Sequence, residues 1–304
     1  NYYPTFLWRN DKRVNLKNTE DPKSKGVAFE RKEYSHDLFA EEALQFVEKN
    51  KSNPFFLYLA FTTPHANNEG GRARGDGMEV PDYGPYAKED WPNPEKGRAA
   101  MITRMDADIG RLFAKLKELN IDENTLIIFS SDNGTHKEGN ADPEFFKCSG
   151  PLRGIKRDLY EGGIRVPGIA RWPGKINAGV VSDQSWAFWD VMPTLCDIAG
   201  VDAPKETDGI SIAPTLFAKD GVAPDQRQHD FFYWEFHEGG SKQAVRTGNW
   251  KAVRLKQGQP LELYDLAADI GETKNVAAYH RDIVAKIEAY LATAQTPNEH
   301  WPLK

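Results

Sequence analysis

Apolar positions along this chain repeat with two different periods, and the alternation between them lays out the elements. Leu38, Phe39, Ala43, Leu44, Phe46 and Val47 recur at helical spacing, which predicts an amphipathic helix capped by Ser35 or Asp37 and closed by Asn50 and Asn53. The run PFFLYLAF, residues 54 to 61, has the length and continuous apolarity of a buried strand and hands the chain to Thr62, Thr63, Pro64 and His65. Met101, Met105, Ile109, Leu112, Phe113, Leu116 and Leu119 stripe a second helix from about 96 to 119, and Asn120 and Asp122 turn it into the β-branched run 125 to 129. Two helix-to-strand units in succession predict an α/β fold with a mostly parallel sheet flanked by helices.

Around these units lie weaker patterns. Residues 1 to 34 carry no long period and read as surface loop with a short strand pair. Residues 67 to 94 are rich in Gly, Pro, Asn and charge, which predicts a long loop that serves as a substrate rim or a mobile segment. VPGIAR (166 to 171) reads as a short strand, and 182 to 201 as a helix in which Asp190 bonds locally. After residue 225 the period changes: FFYWEF, AVRTGNW, KAVRL and LELYDL alternate as an antiparallel meander, with a helix at 281 to 294 behind them. The expected division is therefore 1 to 225, an α/β catalytic domain, and 226 to 304, a smaller α+β subdomain.

Composition narrows the functional classes. With 304 residues, 39% hydrophobic and 28% charged, the chain is an ordinary globular protein. A net charge of -6 argues against a nucleic-acid-binding surface, so any anion site has to be a local pocket. Cys148 and Cys196 lack disulfide-framework or metal spacing and read as isolated thiols. No apolar run reaches membrane-spanning length, so membrane insertion is not expected.

Chemistry concentrates between 125 and 167. The strand run breaks into Ser130, Ser131, Asp132, Asn133 and Gly134, so hard oxygen donors stand at a strand's carboxyl end, where open α/β sheets hold ligands. His136, Arg153, Lys156 and Arg165 follow among glycines, and cations suit a tetrahedral oxyanion. Each piece has a plainer use. D-N-G is an ordinary turn, Arg153 and Lys156 are an ordinary solvated pair, a histidine at a strand end is often structural, and Glu161 fits a turn anchoring Arg165.

Jointly, strand-P-H at 64 to 65, S-D-N-G at 131 to 134 and P-L-R-G-x-K-x-x-x-Y-E-G-G-x-R-V-P at 151 to 167 resemble the sulfatase family of the alkaline-phosphatase-like superfamily, in its arylsulfatase-A-like branch. The likeness runs along nearly the whole chain, through DVMPTLCDIAG and the terminal WKAVRL and LYDL. It implies hydrolysis of aryl or carbohydrate sulfate esters by a formylglycine nucleophile and a divalent cation, usually calcium, with magnesium as a substitute. Asp132 and Asn133 match metal ligands of that family, and Lys156 and His65 match the catalytic groups that contact the sulfate and its leaving oxygen. His136, Arg153 and His237 are the candidate substrate contacts, His136 doubling as a supporting group and His237 as a structural one.

The family's early aspartates and its C/S-x-P-x-R nucleophile element have no counterpart before His65. Ser149 to Arg153 spells S-x-P-x-R, but inside the lysine-bearing loop instead of at a helix start. The expectation is thus the carboxyl-terminal portion of a longer sulfatase, inactive alone, whose partner is the missing amino-terminal half. The family places it in the periplasm or outside the cell. The alternatives are a phosphatase or phosphodiesterase of the same superfamily and a non-catalytic protein that binds sulfated glycans.

Overall fold

The computed structural model describes residues 1 to 303, which divide into two compact units: residues 1 to 125 with 136 to 148, and 126 to 135 with 149 onward. The meander and final helix expected as a separate subdomain share the second unit with the residues from 149 to 225.

In the first unit two hairpins precede the helices. β1 (Phe6–Arg9) pairs with β2 (Lys12–Asn15), and β3 (Thr19–Asp21) with β4 (Ser24–Glu30). Helix α1 (Ser35–Asn50) begins without a side-chain cap: Tyr34 holds the N-cap position, and Ser35 and Asp37 lie inside the first turn. Its buried face is Ala40, Ala43 and Val47, with His36 in the first turn, so the larger apolar residues of the sequence stripe are only half covered. His36 is fixed by Asp108 Oδ2 at 3.0 Å and Thr63 Oγ1 at 3.2 Å, which ties the turn before His65 to the helices.

The 67 to 94 segment is not wholly irregular. It contains α2 (Asn68–Arg74), closed by Gly75 at φ 73°, where the left-handed conformation favours glycine. Helix α3 (Asn93–Glu118) carries the expected stripe, with Met101 and Leu116 fully buried. Met101 and Met78 pack with Tyr2, Tyr3, Tyr34 and Ala141 into the core of this unit.

Residues 54 to 61 depart from expectation. Their exposure alternates with period two, as in a strand, yet no ladder pairs them among the described residues, and Phe56 and Tyr58 stand 72% and 76% exposed. An extended segment becomes a strand only when a neighbour takes up its N–H and C=O groups, and none does so here.

The second unit opens with β5 (Ile127–Ser130), which pairs antiparallel with β6 (Gly168–Arg171) in the register Ile127 to Arg171 through Ser130 to Gly168. Among the described residues every ladder is antiparallel, against the parallel pairing expected, and β5 is half-exposed instead of buried. Between β5 and β6 comes α4 (Glu161–Ile164), and α5 (Val191–Ala199) and α6 (Ala213–Phe217) follow. Asp190 is fully buried. It accepts the Ala187 and Ile210 amides at 2.8 and 2.9 Å and faces His229 Nε2 at 2.8 Å, so its use is structural.

The meander forms as expected: β7 (Phe232–Phe236), β8 (Lys242–Thr247), β9 (Trp250–Arg254) and β10 (Glu262–Asp265) stand in the order β10-β9-β8-β7. Alternate residues serve opposite faces. Val245, Ala252 and Leu263 pack under Ile287 and Leu291 of α7 (Arg281–Ala294), while Ala244, Val253 and Tyr264 pack against Leu159 and Tyr160. Each fully buried side chain of the size of Leu263 or Ile287 stabilises by about 1.5–3 kcal/mol. The sheet thereby fixes the loop that leads from Lys156 into α4.

Candidate active site

Within the second unit the polar end of β5 and the lysine-bearing loop are bonded to each other. The Gly134 amide donates to the Gly163 carbonyl at 2.9 Å and the Lys156 amide to the Thr135 carbonyl at 2.7 Å, while the Gly162 amide closes the loop on Arg153 O at 2.7 Å. A Cβ on Gly134 would fall inside contact of the Gly162 carbonyl oxygen, so only a bare backbone passes there. Asp132 is exposed at this turn, and Asn133 and Lys156 are half-buried. The structure thus brings Asp132, Asn133 and Lys156 onto one hydrogen-bonded platform.

That platform is nailed from beneath by charge. Lys251 of β9, fully buried, reaches Glu161 Oε1 at 2.8 Å; Arg246 of β8 lies 3.5 Å and Arg165 3.9 Å from Oε2. Glu161 therefore serves Lys251 first and the anticipated Arg165 only at long range. Glu272 accepts the Glu161 amide at 2.7 Å, and its other oxygen is buried without a hydrogen-bond partner among the described residues. Burial pushes the Glu272 carboxyl up to about 7, against the pull of Lys251, and burial likewise pulls the Lys251 ammonium down from its ordinary value.

Two of the candidate substrate contacts are engaged in this unit. Arg153 stacks on Tyr160 at 3.8 Å and donates to Tyr264 Oη and the Glu272 carbonyl at 3.0 and 2.8 Å, so its guanidinium secures the loop. His237 sits against Ser241 Oγ at 3.2 Å; Glu235 lies 3.3 Å from Nε2 but outside hydrogen-bond geometry. Ser149 occupies a turn and donates its hydroxyl to the Gly154 carbonyl at 3.0 Å, a poor setting for a nucleophile.

The first unit holds the two candidate histidines, His65 and His136. His65 follows the turn Thr62–Pro64, and its Nδ1 lies 2.8 Å from the Ala66 carbonyl oxygen. Its Nε2 lies 3.3 Å from Glu138 Oε2, with the ring 42% exposed and the carboxylate nearly covered. The His136 ring centroid is 5.7 Å away. His136 is buried: Nε2 faces the Pro64 carbonyl at 3.1 Å and Nδ1 accepts the Glu138 amide at 3.1 Å. Burial lowers its basicity, and a neutral ring satisfies both partners. Of its two anticipated uses, the geometry favours support over substrate contact.

Glu138 was invisible as a partner in the sequence; the only hint is an acid two residues beyond His136. Its loop is built in by Gly139, whose carbonyl accepts the Gly77 amide at 2.9 Å, and by Asn140 Nδ2 on Gly71 O at 3.3 Å. Beside it opens a depression of about 480 Å³ lined by Asn68, Arg72, Lys137, Glu138, Asn140 and Asp142, among others.

Asp132 and Asn133 supply hard oxygens of the kind calcium or magnesium takes, but two donors fall short of the about six to eight that calcium collects. Among the described residues no group of three or more His, Cys, Asp or Glu is placed to hold a metal ion. The pair fits such a cation in kind and not in number.

Comparison with known proteins gives these features a context. Residues 2–201 match the family model described as Sulfatase, and residues 155–296 match that described as N-sulphoglucosamine sulphohydrolase, C-terminal. Arylsulfatase A of Homo sapiens is 32% identical over 271 residues, covering 80% of this chain and 47% of that protein. N-acetylgalactosamine-6-sulfatase of Canis lupus familiaris is 28% identical over 273 residues, covering 88% and 48%. A solved structure, Ps i-CgsB in complex with k-i-k-neocarrahexaose, superposes with TM-score 0.72 at 27% identity, covering 92% of this chain and 59% of that one. The architecture is the alkaline-phosphatase-like α/β fold that the sequence leads one to expect. The chain spans about half the length of the curated relatives it matches.

Proposed function

Since this chain belongs to the sulfatase family, we propose that it contributes the later part of a site that hydrolyses sulfate esters. The observation that carries this is the bonding of the Lys156 loop to the Asp132–Asn133–Gly134 turn through Lys156 N–H to Thr135 O and Gly134 N–H to Gly163 O. A strand end with two hard oxygens and a lysine on the same platform is suited to a sulfate group. The Lys156 ammonium offsets charge on the sulfate oxygens; for His65, which belongs to the other unit, only the family resemblance supports the role of proton donor to the departing oxygen.

Asp132 and Asn133 would hold part of the coordination of a calcium or magnesium ion, which would polarise the sulfate when bound. The remaining ligands and the nucleophile, a formylglycine in the family scheme, are to be supplied by residues outside this chain. On this reading the chain is the carboxyl-terminal portion of a longer enzyme and is inert alone.

A sulfated carbohydrate is the proposed substrate. The hexasaccharide in the solved relative supports a sugar, and the depression lined by Asn68, Arg72, Lys137 and Asn140 offers amides and cations for hydroxyl and anionic groups. From the family resemblance, the periplasm or the outside of the cell is the proposed compartment. No helix among the described residues is long and apolar enough to cross a membrane.

The test is a chromogenic aryl sulfate assay with calcium. The chain alone is expected to give no turnover; a chain extended at its amino terminus by a sulfatase first half should give turnover that Lys156→Ala lowers by about 100-fold or more. Turnover by the chain alone that Ser149→Ala abolishes would overturn the assignment of the nucleophile. An extended, folded chain that cleaves phosphate esters and no sulfate ester would overturn the reaction.

A further inference from the structure

Both ends of the lysine-bearing loop meet at Glu272. At the leading end its backbone carbonyl accepts Arg153 Nη1 at 2.8 Å, and at the trailing end its Oε2 accepts the backbone N–H of Glu161 at 2.7 Å. The Gly162 N–H then closes the loop on the Arg153 carbonyl at 2.7 Å. Lys156 lies between those ends, and its own N–H donates to Thr135 O at 2.7 Å. The loop packs backbone on backbone: a Cβ on Gly162 or Gly163 would collide with the carbonyl oxygen of Gly154 or Asp158. With so little slack, a shift at either end reaches the lysine.

The setting of Glu272 is unusual for a residue that only fills a turn. Its φ is 52°, in the left-handed region that disfavours a side chain of this kind. The turn enforces that conformation: Asp269 Oδ2 accepts the N–H groups of Thr273 and Lys274, both at 2.8 Å, and the Asp269 carbonyl accepts the N–H of Glu272 at 3.1 Å. The carboxyl is fully buried, with Oε1 lacking a hydrogen-bond partner among the described residues. An apolar side chain would be easier to bury there, but it would leave the Glu161 N–H without its acceptor.

We propose that Glu272 is a positioning residue for Lys156: its carbonyl and its carboxyl clasp the two ends of the 153 to 161 loop, and so hold the lysine against the Asp132–Asn133–Gly134 turn. The use of the lysine rests on the sulfatase reading; the clasp does not.

The clasp carries a pH dependence of its own. Lys251 of β9, Glu161 of α4 and Arg153 of the loop face Glu272, while Arg246 of β8 reaches Glu161 and Asp269 belongs to the same turn as Glu272. Burial outweighs the pull of Lys251 and Arg153 and pushes the carboxyl up to about 7. The neutral acid still accepts the Glu161 N–H, whereas the ionised form favours an open loop with the carboxylate in water. Closure is thus fully supported below pH 4.5, and the support is lost as the pH rises through about 7. Between about pH 6 and 8 the open fraction should grow by at most about tenfold.

Amide hydrogen exchange of the ¹⁵N-labelled chain, expressed as protection factors, tests the proposal. Glu272→Met keeps the length of the side chain and removes the acceptor. It should lower protection of the Glu161, Gly162 and Lys156 amides by about tenfold or more and leave the β8–β9 ladder amides unchanged. Glu272→Gln, shaped like the neutral acid, should restore all three and make their protection independent of pH, where the unaltered chain loses it.

A Lys156 amide that Glu272→Met leaves as protected as before would overturn the proposal, and so would an equal loss across the β8–β9 ladder, which marks a contribution to general stability alone. Should Glu272→Met not fold, the unaltered chain and Glu272→Gln still decide, since matching pH profiles for the three amides refute the clasp. No sulfate ester enters the measurement. An inactive longer enzyme would therefore sink the functional reading and leave the clasp standing, and the reverse also holds.

Discussion

Raising the pH from 5 to 8 should weaken the second unit through one carboxyl, that of Glu272. It is fully buried, accepts the Glu161 amide with one oxygen and leaves the other without a partner. Burial therefore favours the neutral acid and carries the group from an ordinary 4.5 to about 7. The folded protein binds this proton more tightly than the unfolded chain, so the stabilisation is fully present below pH 4.5 and is lost as the pH rises through about 7. The difference, 7 less 4.5, sets a ceiling of about 3 kcal/mol at about 1.36 kcal/mol per pH unit. Lys251 and Arg153 pull the other way and are already counted in that value, and relaxation around the ionised group keeps the expected loss to about 1–3 kcal/mol. Glu272→Gln is shaped like the protonated acid and should abolish this component. The assay is urea unfolding of both proteins at intervals between pH 4.5 and 8.5. Stability of the unaltered protein should fall relative to the variant across that window, and parallel curves would refute the assignment of a raised carboxyl to Glu272.

Two other outcomes follow from packing. Gly134→Ala should cost about 1–3 kcal/mol by forcing a Cβ onto the Gly162 carbonyl, whereas Gly110→Ala, in open space on α3, should gain about 0.5–1 kcal/mol; equal urea midpoints would contradict the close approach. The unladdered, apolar 54 to 61 segment, with Phe56 and Tyr58 exposed, should make the isolated chain self-associate as concentration rises, and Phe56→Lys with Tyr58→Lys should suppress it; sedimentation showing one monomeric species at every concentration would speak against it.

Legibility differed by the reach of the interaction that fixes each feature. The helix at 281 to 294 and the four meander strands were readable because their periods are local, and so was α3. Helix α2 was not: Asn-Glu-Gly-Gly-Arg-Ala-Arg has a glycine pair and no apolar stripe, and it is held by close backbone contacts of Gly71 and Gly77 on Gly139 and by its Gly75 cap. The runs at 54 to 61 and 125 to 129 announced extended chain correctly, but their pairing depends on neighbours that no local pattern encodes. Residue 127 meets residue 171, and 54 to 61 meets no ladder among the described residues. Asp132, Asn133 and Lys156 stood out because one short stretch holds them. Arg153 and His237 stood out equally and are engaged by Tyr264, Glu272 and Ser241, residues too distant or too ordinary to flag.

The histidines show what a motif leaves undetermined. In the sequence His65 and His136 are similar: each follows a strand-like run and a small polar turn. Their chemistry separates only through one later residue. The backbone N–H of Glu138 is donated to His136 Nδ1, and its carboxylate faces His65 Nε2. The first contact makes His136 a neutral support, and the second makes His65 a ring with acceptors on both sides. A side-chain change at 138 leaves the first contact in place and removes the second, because a backbone amide survives any non-proline substitution. The two contacts are therefore separable by experiment even though one residue makes both, and the separation of 73 positions from His65 to Glu138 explains why no reading of local pattern could have paired them.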